Sequence, residues 1–318
     1  MSIYVSGSLA FDRLMLMPGR FVDHILPEKL HILSVSFLID RIVEKRGGTA
    51  GNIAYSLSLL GQKSVILASV GRDFHNYAAE LLSWGLSLEG IREIEDDLTA
   101  GAYIITDNGG NQINGFCPAA MNFPCGYAFP ARLSPQDIAI VGAGNMEDMY
   151  ALPLRYKEAQ TPYIFDPGQQ IPALPRDTLL SSITGSRLLI CNDYEIELIC
   201  TALNCDKEYL LKLTGGIITT LGEQGCLIEA DCCEPVHIPA VPVEKVVEPT
   251  GCGDAFRAGL VLGITQGLDL PASARLGSTA ASFCVEHLGT QEHYYTLDEF
   301  KQRHCSAYEE GARDVKNL

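Results

Sequence analysis

Residues 248–260 read EPTGCGDAFRAGL and combine a glycine turn with the start of a helix. Gly251 and Gly253 allow backbone conformations that other residues avoid, and Asp254 opens an apolar-rich run typical of a helix. Free N–H groups and the helix dipole at such a start suit a phosphate whose charge grows during transfer. A carboxylate beside them can deprotonate an attacking hydroxyl. Asp254 equally suits the simpler role of a helix cap.

The length and composition indicate a globular protein. The chain has 318 residues, 47% of them hydrophobic, which suffices for one large α/β domain or two smaller ones. We predict strands at 3–5, 64–70, 91–94, 138–141, 163–165, 188–190, 216–220 and 226–229. We predict helices at 53–60, 74–84, 146–159, 177–183, 254–267 and 272–286, and a further one from 192. Strands that alternate with helices predict a doubly wound, mainly parallel sheet flanked by helices.

The charge and the cysteines narrow the function classes. The 23 basic and 39 acidic residues give a net charge of −16, which disfavours nucleic acid and anionic membranes as partners. An anionic cosubstrate then needs local neutralisation by a divalent metal. Eleven cysteines without a C-x-x-C pair indicate reduced thiols rather than disulfides or a zinc site. No apolar run approaches the ~20 residues of a membrane helix. We therefore expect a cytoplasmic protein that is neither exported nor anchored.

Two segments predict a small accessory sheet. Short apolar stretches at 14–17, 33–38 and 41–44 are interrupted by prolines and a glycine, as edge strands often are. Strands at 99–106 and 112–116 are joined by DNGGN, which is typical of a hairpin turn.

Polar residues follow several predicted strands, at the edge where open α/β sheets bind ligands. Ser8 and Asp12 come after the first strand, although an ordinary turn would explain them equally well. Residues 47–52, GGTAGN, pair glycines that let a backbone close on a ligand with Asn52, whose amide suits a vicinal diol. Gln170 in the loop 166–170, DPGQQ, can contact a base edge or be a plain loop glutamine.

Two further motifs suit phosphates. In residues 192–195, NDYE, the Asn and Glu can face one crevice, but they equally suit a helix cap and its first turn. In residues 219–225, TTLGEQG, the glycines permit close approach of a triphosphate. The GAG at 142–144 lacks the third glycine of a dinucleotide-binding motif, and no P-loop lysine motif or protein-kinase motif is present.

The sequence TGCGDAF at 250–256, with Gly259 three residues later, resembles the C-terminal signature of the ribokinase family of carbohydrate and nucleoside kinases. GGTAGN resembles the N-terminal signature of that family. Within it, the chain most resembles bacterial adenosine kinases of actinobacterial type, over nearly its whole length. The resemblance implies one ribokinase-like domain over 1–318, with a β lid in two pieces at about 11–46 and 98–118.

The resemblance also implies roles for individual residues. Asp254 would be the catalytic base, beside an anion cradle of Gly251, Cys252 and Gly253. Sugar contacts would come from Ser8, Asp12, Gly48 and Asn52, with Gln170 near the base. The nucleotide would be held by Asn192, Thr220, Gly222 and Gly225, and magnesium by Glu195. A homodimer joined through the lids is expected, since Phe116 lies on an open lid strand.

The expected activity is ATP- and Mg²⁺-dependent phosphorylation of a ribose 5′-hydroxyl, with adenosine favoured. A kinase for a free sugar such as ribose or fructose is the main alternative, and a non-catalytic sensor is a further one. Phe37 matches the adenosine kinase pattern, whereas Ala102 stands where those enzymes place an aromatic residue, next to Tyr103. Glu248 replaces an Asp that helps these kinases to bind a monovalent cation, which leaves K⁺ dependence open.

Overall fold

A nine-stranded, mainly parallel sheet forms the centre of the computed structural model, which describes residues 1–130, 133–316 and 318. The strands are β1 Ile3–Ser6, β2 Ala10–Leu16, β3 Arg41–Gly47, β4 Ser64–Gly71, β5 Ile91–Ile94, β6 Ala100–Thr106, β7 Gln112–Cys117, β8 Ile138–Val141, β9 Tyr163–Phe165, β10 Leu188–Asn192, β11 Ile217–Thr220, β12 Cys226–Glu229 and β13 Val236–Ile238. The helices are α1 Thr49–Leu59, α2 His75–Ser83, α3 Met146–Glu158, α4 Arg176–Ile183, α5 Asp193–Leu203, α6 Lys207–Leu211, α7 Cys252–Thr265, α8 Leu270–Cys284, α9 Leu297–Ala307 and α10 Gly311–Asp314.

The large sheet has the order β13-β12-β11-β10-β9-β8-β1-β4-β5. Every pairing from β11 to β5 is parallel, and β12 and β13 add antiparallel strands at one edge. The strand order reverses at β1, which lies between β4 and β8. This confirms the predicted doubly wound sheet. It also places the residues that follow β1 at the switch point where such sheets bind ligands.

A separate four-stranded sheet has the order β3-β2-β6-β7. The predicted hairpin is confirmed, because β6 and β7 pair antiparallel from Thr106 and Gln112 onward. The predicted strand at 33–38 is wrong. No strand pairs with this segment, and instead its Phe37 packs on the rings of Phe21 and His24, at centroid distances of 5.2 and 6.0 Å.

Two hydrophobic clusters cover the two faces of the large sheet. One joins α1, α7 and α8 to strands that include β1 and β4, and the other joins α3, α4 and α5 to residues such as Val141 and Phe165. Helices α7 and α8 pack closely because Gly259 has no side chain. A Cβ there would lie 2.4 Å from Leu276 O. This close packing fixes the direction of α7 and hence the position of its N terminus.

Other predicted elements agree with the structure to within a few residues, whereas the sequence analysis did not predict α6, β13, α9 and α10. Among the described residues, no helix has the length and apolar character needed to cross a membrane.

Candidate active site

The turn before α7 leaves backbone N–H groups open. Gly251 caps the helix with φ = 83°, and a Cβ there would lie 2.9 Å from the side chain of Thr290, so both backbone shape and space require glycine. Cys252 N already donates to Pro249 O at 3.2 Å, and the first helical bond runs from Ala255 N to Gly251 O. The N–H groups that precede this bond, those of Gly253 and Asp254, are therefore the open donors of the cradle.

The Cys252 side chain turns away from these donors. Its Sγ lies 3.9 Å from Glu248 O, and a hydrogen bond with the Cys284 thiol lowers the pKa of Cys252. Of the three residues of the predicted cradle, Gly251 supplies the turn and Gly253 supplies a free N–H donor. Cys252 supplies neither a free N–H group nor a side chain directed at the cradle.

Asp254 lies at the first turn of α7 and makes no capping hydrogen bond. Its Oδ2 accepts a hydrogen bond from Asn52 Nδ2 at 2.7 Å, which links α7 to α1 across 202 positions of sequence. Burial, opposed by Arg257 and by the hydrogen bond from Asn52 and assisted by Asp166, raises the pKa of Asp254 to about 6. A carboxylate with a pKa near neutrality suits a general base.

A buried amide and a phenol fix the orientation of Asn52. Gln291 Nε2 donates to Asn52 Oδ1 at 2.8 Å and to Tyr77 Oη at 2.5 Å, and Tyr77 donates to Gly47 O at 3.0 Å. Because Gln291 supplies donors to Asn52 Oδ1, the Asn52 amide must direct its own N–H₂ at Asp254. The sequence analysis did not predict that Gln291 and Tyr77 orient Asn52, because both lie far from it along the chain.

A buried ion pair lies beside the base. Arg257 Nη2 donates to Asp166 Oδ1 at 2.6 Å, and Nε contacts Oδ2 of the same carboxylate. The two residues are only 8% and 2% exposed. Sequence reasoning identified no cationic side chain for the phosphate, although Arg257 stands one helical turn after Asp254 in the quoted stretch.

The predicted sugar-binding residues surround the turn after β1. A Cβ on Gly48 would lie 2.5 Å from Ser8 O, so glycine allows α1 to start against this turn, where Ser8 Oγ accepts from Thr49 N at 3.0 Å. Burial and the neighbouring Glu248 raise the pKa of Asp12 to about 6. The Asp12 carboxylate accepts no hydrogen bond from the described residues, so its oxygens are available to hydroxyl groups.

Gln170 lies in the loop after β9, where its Nε2 donates to Gly144 O at 3.0 Å. The backbone thus occupies its amide nitrogen, and the carbonyl oxygen is the end that remains for a ligand. The same loop begins with Asp166, so the ion pair under α7 and this glutamine share one strand end.

Asn192 and Glu195 form a capping box at the start of α5. Asn192 Oδ1 accepts from Glu195 N at 2.7 Å, and Glu195 Oε2 accepts from Asn192 N at 2.8 Å. In this structure Asn192 and Glu195 therefore act as the helix cap that the sequence analysis gave as the alternative to phosphate and metal binding. Burial raises the pKa of Glu195, with Asp166 acting in the same direction and Arg257 opposing it, so this carboxylate belongs to the charge cluster under α7.

The two glycines of the predicted nucleotide turn have different surroundings. A Cβ on Gly225 would lie 2.0 Å from Ile238 O, so this glycine permits packing against β13, whereas Gly222 faces open space. Thr220 pairs in register with Asn192 at the adjacent ends of β11 and β10. The structure thus brings Thr220, Gly222 and Asn192 to one edge of the sheet.

One carboxylate of the site fits a magnesium ion that also binds phosphate. Within residues 1–130, 133–316 and 318, no three metal-binding side chains form a ready cage. Mg²⁺ on a nucleotide typically uses one or two carboxylates, water and phosphate oxygens. Glu195 offers a carboxylate of this kind, whereas both oxygens of Asp166 contact Arg257.

Comparison with known proteins places these features in a family. The model of the pfkB family of carbohydrate kinases matches residues 13–296. The chain belongs to the PfkB family. It is a phosphotransferase that acts on an alcohol group, with the ribokinase-like α/β fold and a separate small sheet.

Members with solved structures or assigned activities resemble the chain over most of its length. A nucleoside kinase of Methanocaldococcus jannaschii is 31% identical over 81% of this chain and 84% of its own. The structure of Burkholderia thailandensis nucleoside kinase in complex with inosine is 35% identical, with a TM-score of 0.83 over 97% of this chain and 98% of that one. The adenosine kinase of Saccharomyces cerevisiae is 25% identical over 76% of this chain and 78% of its own.

Proposed function

We propose that this PfkB protein transfers the γ-phosphoryl group of ATP to the 5′-hydroxyl of a nucleoside, with adenosine as the favoured acceptor. One observation supports the chemistry above all others. A half-buried carboxylate, Asp254, lies beside open N–H donors at a helix N terminus and is held there by Asn52 at 2.7 Å. The similarity to nucleoside kinases supports the class of acceptor.

In the proposed reaction Asp254 takes the proton of the 5′-hydroxyl while its oxygen attacks the γ-phosphorus. A new O–P bond forms, the bond from the γ-phosphorus to the bridging oxygen breaks, and ADP leaves with the electron pair. The N–H groups of Gly253 and Asp254 donate to the phosphoryl oxygens, whose charge grows in the transition state. A hydrogen bond from Asn52 occupies Oδ2 of the base, which leaves Oδ1 for the hydroxyl.

The nucleotide would lie along the ends of β10 and β11. Thr220 and Gly222 border the open side of this edge, and Asn192 begins the next helix. We assign Gly225 to packing rather than to nucleotide contact, because β13 fills the space beside it. Magnesium bound through Glu195 would neutralise charge on the phosphates, and Glu195 would have to leave its capping hydrogen bond to reach the ion.

The sugar would occupy the turn after β1. Asp12 offers carboxylate oxygens that accept no hydrogen bond from the described residues, and Ser8 and Gly48 shape the wall beside it. Asn52 donates one N–H of its amide to the catalytic base Asp254. A sugar hydroxyl would therefore accept the other N–H of the same amide group. Gln170 would contact the nucleoside through its carbonyl oxygen.

The choice of adenosine depends on the small sheet, which we propose acts as a lid. Phe116 is 54% exposed and pairs with Ala102 on the face of the small sheet that also carries Asp12, so its ring has surface free for stacking there. Tyr103 lies on the opposite face, where Arg13 contacts its ring. Phe37 packs on Phe21 and His24 instead, which makes it a support of the lid segment. Ala102 leaves the pocket wider than an aromatic residue would, so other purine nucleosides are the nearest competitors.

An initial-rate panel tests this proposal. Adenosine, inosine, guanosine, cytidine, ribose and fructose are compared under ATP and Mg²⁺, with and without K⁺. We expect adenosine to exceed ribose and fructose at least about tenfold in kcat/KM, which needs only ~1.4 kcal/mol of differential transition-state binding.

The outcomes separate the alternatives. A free sugar that gives the highest rate would refute the nucleoside assignment and leave the kinase assignment intact. Binding of a nucleoside without release of ADP in any reaction would favour the sensor. A rate that does not change with K⁺ would show that Glu248 does not sustain a monovalent-cation site.

A further inference from the structure

Arg257 directs its positive charge back toward the start of α7. It follows Gly253 by four positions, and long side chains on a helix lean toward the N terminus over the preceding turn. A Cβ placed on Gly253 would lie 2.6 Å from Arg257 Nη1. The guanidinium therefore covers the α-carbon of a residue that supplies a free N–H donor to the cradle.

Asp166 holds one edge of this guanidinium. Nη2 donates to Asp166 Oδ1 at 2.6 Å and Nε contacts Oδ2, so two nitrogens of the guanidinium face the same carboxylate. Nη1 stays outside this pairing and donates no hydrogen bond to any residue that the structure describes. Arg257 is more than nine-tenths buried, so Nη1 is a held cationic donor beside the cradle.

The helix N terminus opposes the charge of the guanidinium, and the carboxylates of Asp166, Asp254 and Glu195 offset this repulsion. The N terminus of a helix carries a partial positive charge, and a buried cation there is repelled by it. An anion at the cradle would be attracted by the dipole, the open N–H groups and Nη1 together.

We propose that Arg257 Nη1 donates to a non-bridging oxygen of the phosphoryl group that is transferred, with Asp166 as the residue that orients it. The inference depends on the proposed function, since it assigns one further contact in the same reaction. The bond from the γ-phosphorus to ADP breaks as the bond to the 5′-oxygen forms. During this transfer, Nη1 stabilises the negative charge on the non-bridging oxygens of the phosphoryl group. Because Asp166 already fixes the guanidinium, little side-chain freedom is lost on binding.

The test compares nucleotides that differ by the γ-phosphate. Arg257→Ala, Arg257→Lys and the wild type are titrated with ADP and with a non-hydrolysable β,γ-methylene analogue of ATP, both with Mg²⁺, and kcat is measured. Arg275→Ala is the matched control, because Arg275 forms a similar two-point pair with Asp314, at 2.7 and 3.0 Å, between α8 and α10.

We expect Arg257→Ala to weaken binding of the ATP analogue about tenfold or more, as for one lost charge-assisted hydrogen bond, and to leave ADP within about threefold. The kcat should fall roughly 10²- to 10³-fold, as when one oxyanion donor is removed. Arg257→Lys should unfold at nearly the wild-type temperature, because its ammonium still pairs with Asp166. It should show the same selective loss of affinity for the ATP analogue, because the ammonium has no second group of donors that could reach the γ-phosphate. Arg275→Ala should lose stability without this selectivity.

Equal loss of affinity for ADP and the ATP analogue would overturn the inference, since a purely structural role has that effect. Full activity in Arg257→Lys would overturn it as well, and this variant decides the matter if Arg257→Ala does not fold. If the wild type is active and either of these two results is found, the role of Arg257 is refuted and the proposed function stands. A wild type that phosphorylates no nucleoside or sugar refutes the proposed function and the inference together.

Discussion

The replacement Asp254→Asn should abolish turnover and stabilise the free protein. Burial raises the pKa of Asp254 from 3.8 to about 6, so folding disfavours its ionised form. A difference of about two pKa units corresponds to ~3 kcal/mol, at 1.36 kcal/mol per unit. Because the residue keeps partial exposure to solvent, we expect the smaller gain of about 1–2 kcal/mol from removing the charge.

The pH dependence of this gain follows from the direction of the pKa shift. Below the ordinary value of 3.8, Asp254 is protonated in both the folded and unfolded chains, and the ionisation costs nothing. The cost grows as pH rises from about 4 to about 6 and is complete above that range. Asp254→Asn should therefore unfold at roughly 1–3 °C above the wild type at pH 8, and the difference should shrink toward pH 4.5.

Scanning calorimetry without nucleotide, at several values of pH between 4.5 and 8, measures this difference. Turnover should fall roughly 10²- to 10⁴-fold through loss of the base, while ADP still binds. Asp206→Asn is the matched control, because Asp206 is an exposed cap that accepts from Tyr209 N at 2.8 Å and should give no stabilisation. An unchanged unfolding temperature at pH 8, or turnover within a factor of three of wild type, would refute the reasoning.

Two further predictions concern the base and the assembly. Asn52→Leu removes a hydrogen bond that lowers the pKa of Asp254. The acid limb of kcat/KM should therefore move up from about pH 6 by roughly 1–2 units, since a hydrogen bond to a charged group contributes ~1.5–3 kcal/mol. Ser56→Ala, a buried change on the same helix, should leave the limb in place, and an unmoved limb in Asn52→Leu would contradict the assignment. A homodimer through the lid sheets should appear in light scattering at micromolar concentration, because β7 is exposed along its whole length and Phe116 lies on it. Phe116→Glu should give a monomer, and a monomeric wild type, with or without substrate, would count against the lid interface.

The alternation of strands and helices was predictable because each element has its own hydrophobic period. The helix predicted at 254–267 is α7, Cys252–Thr265, and the strand at 138–141 is β8 with the same bounds. The strand predicted at 33–38 failed for a different reason. A strand exists only where a neighbour completes its hydrogen bonds, and an apolar pattern alone contains no information about that neighbour.

The site was predictable where its residues follow strand ends or open helices, and unpredictable where two distant side chains meet. Asp254 and Asn52 lay in recognisable motifs, but the hydrogen bond from Gln291 that orients Asn52 spans 239 positions of sequence. Asp166 and Arg257 lie 91 positions apart and form a pair that the sequence does not reveal. Such pairs arise when the sheet and α7 are packed together, so only the three-dimensional structure shows them.

The charges around the cradle connect the pKa of the base to the need for a cation. Asp166, Asp254 and Glu195 lie near one positive side chain, Arg257, so carboxylates outnumber the guanidinium in the ligand-free site. This excess helps to raise the pKa values of Asp254 and Glu195, and it would also repel a triphosphate. A divalent cation that arrives with ATP offsets both effects, because it neutralises the phosphates and favours the ionised carboxylates. On the proposed function, magnesium therefore prepares the base as well as the nucleotide, and the acid limb of the rate should lie at lower pH when Mg²⁺ and ATP are saturating.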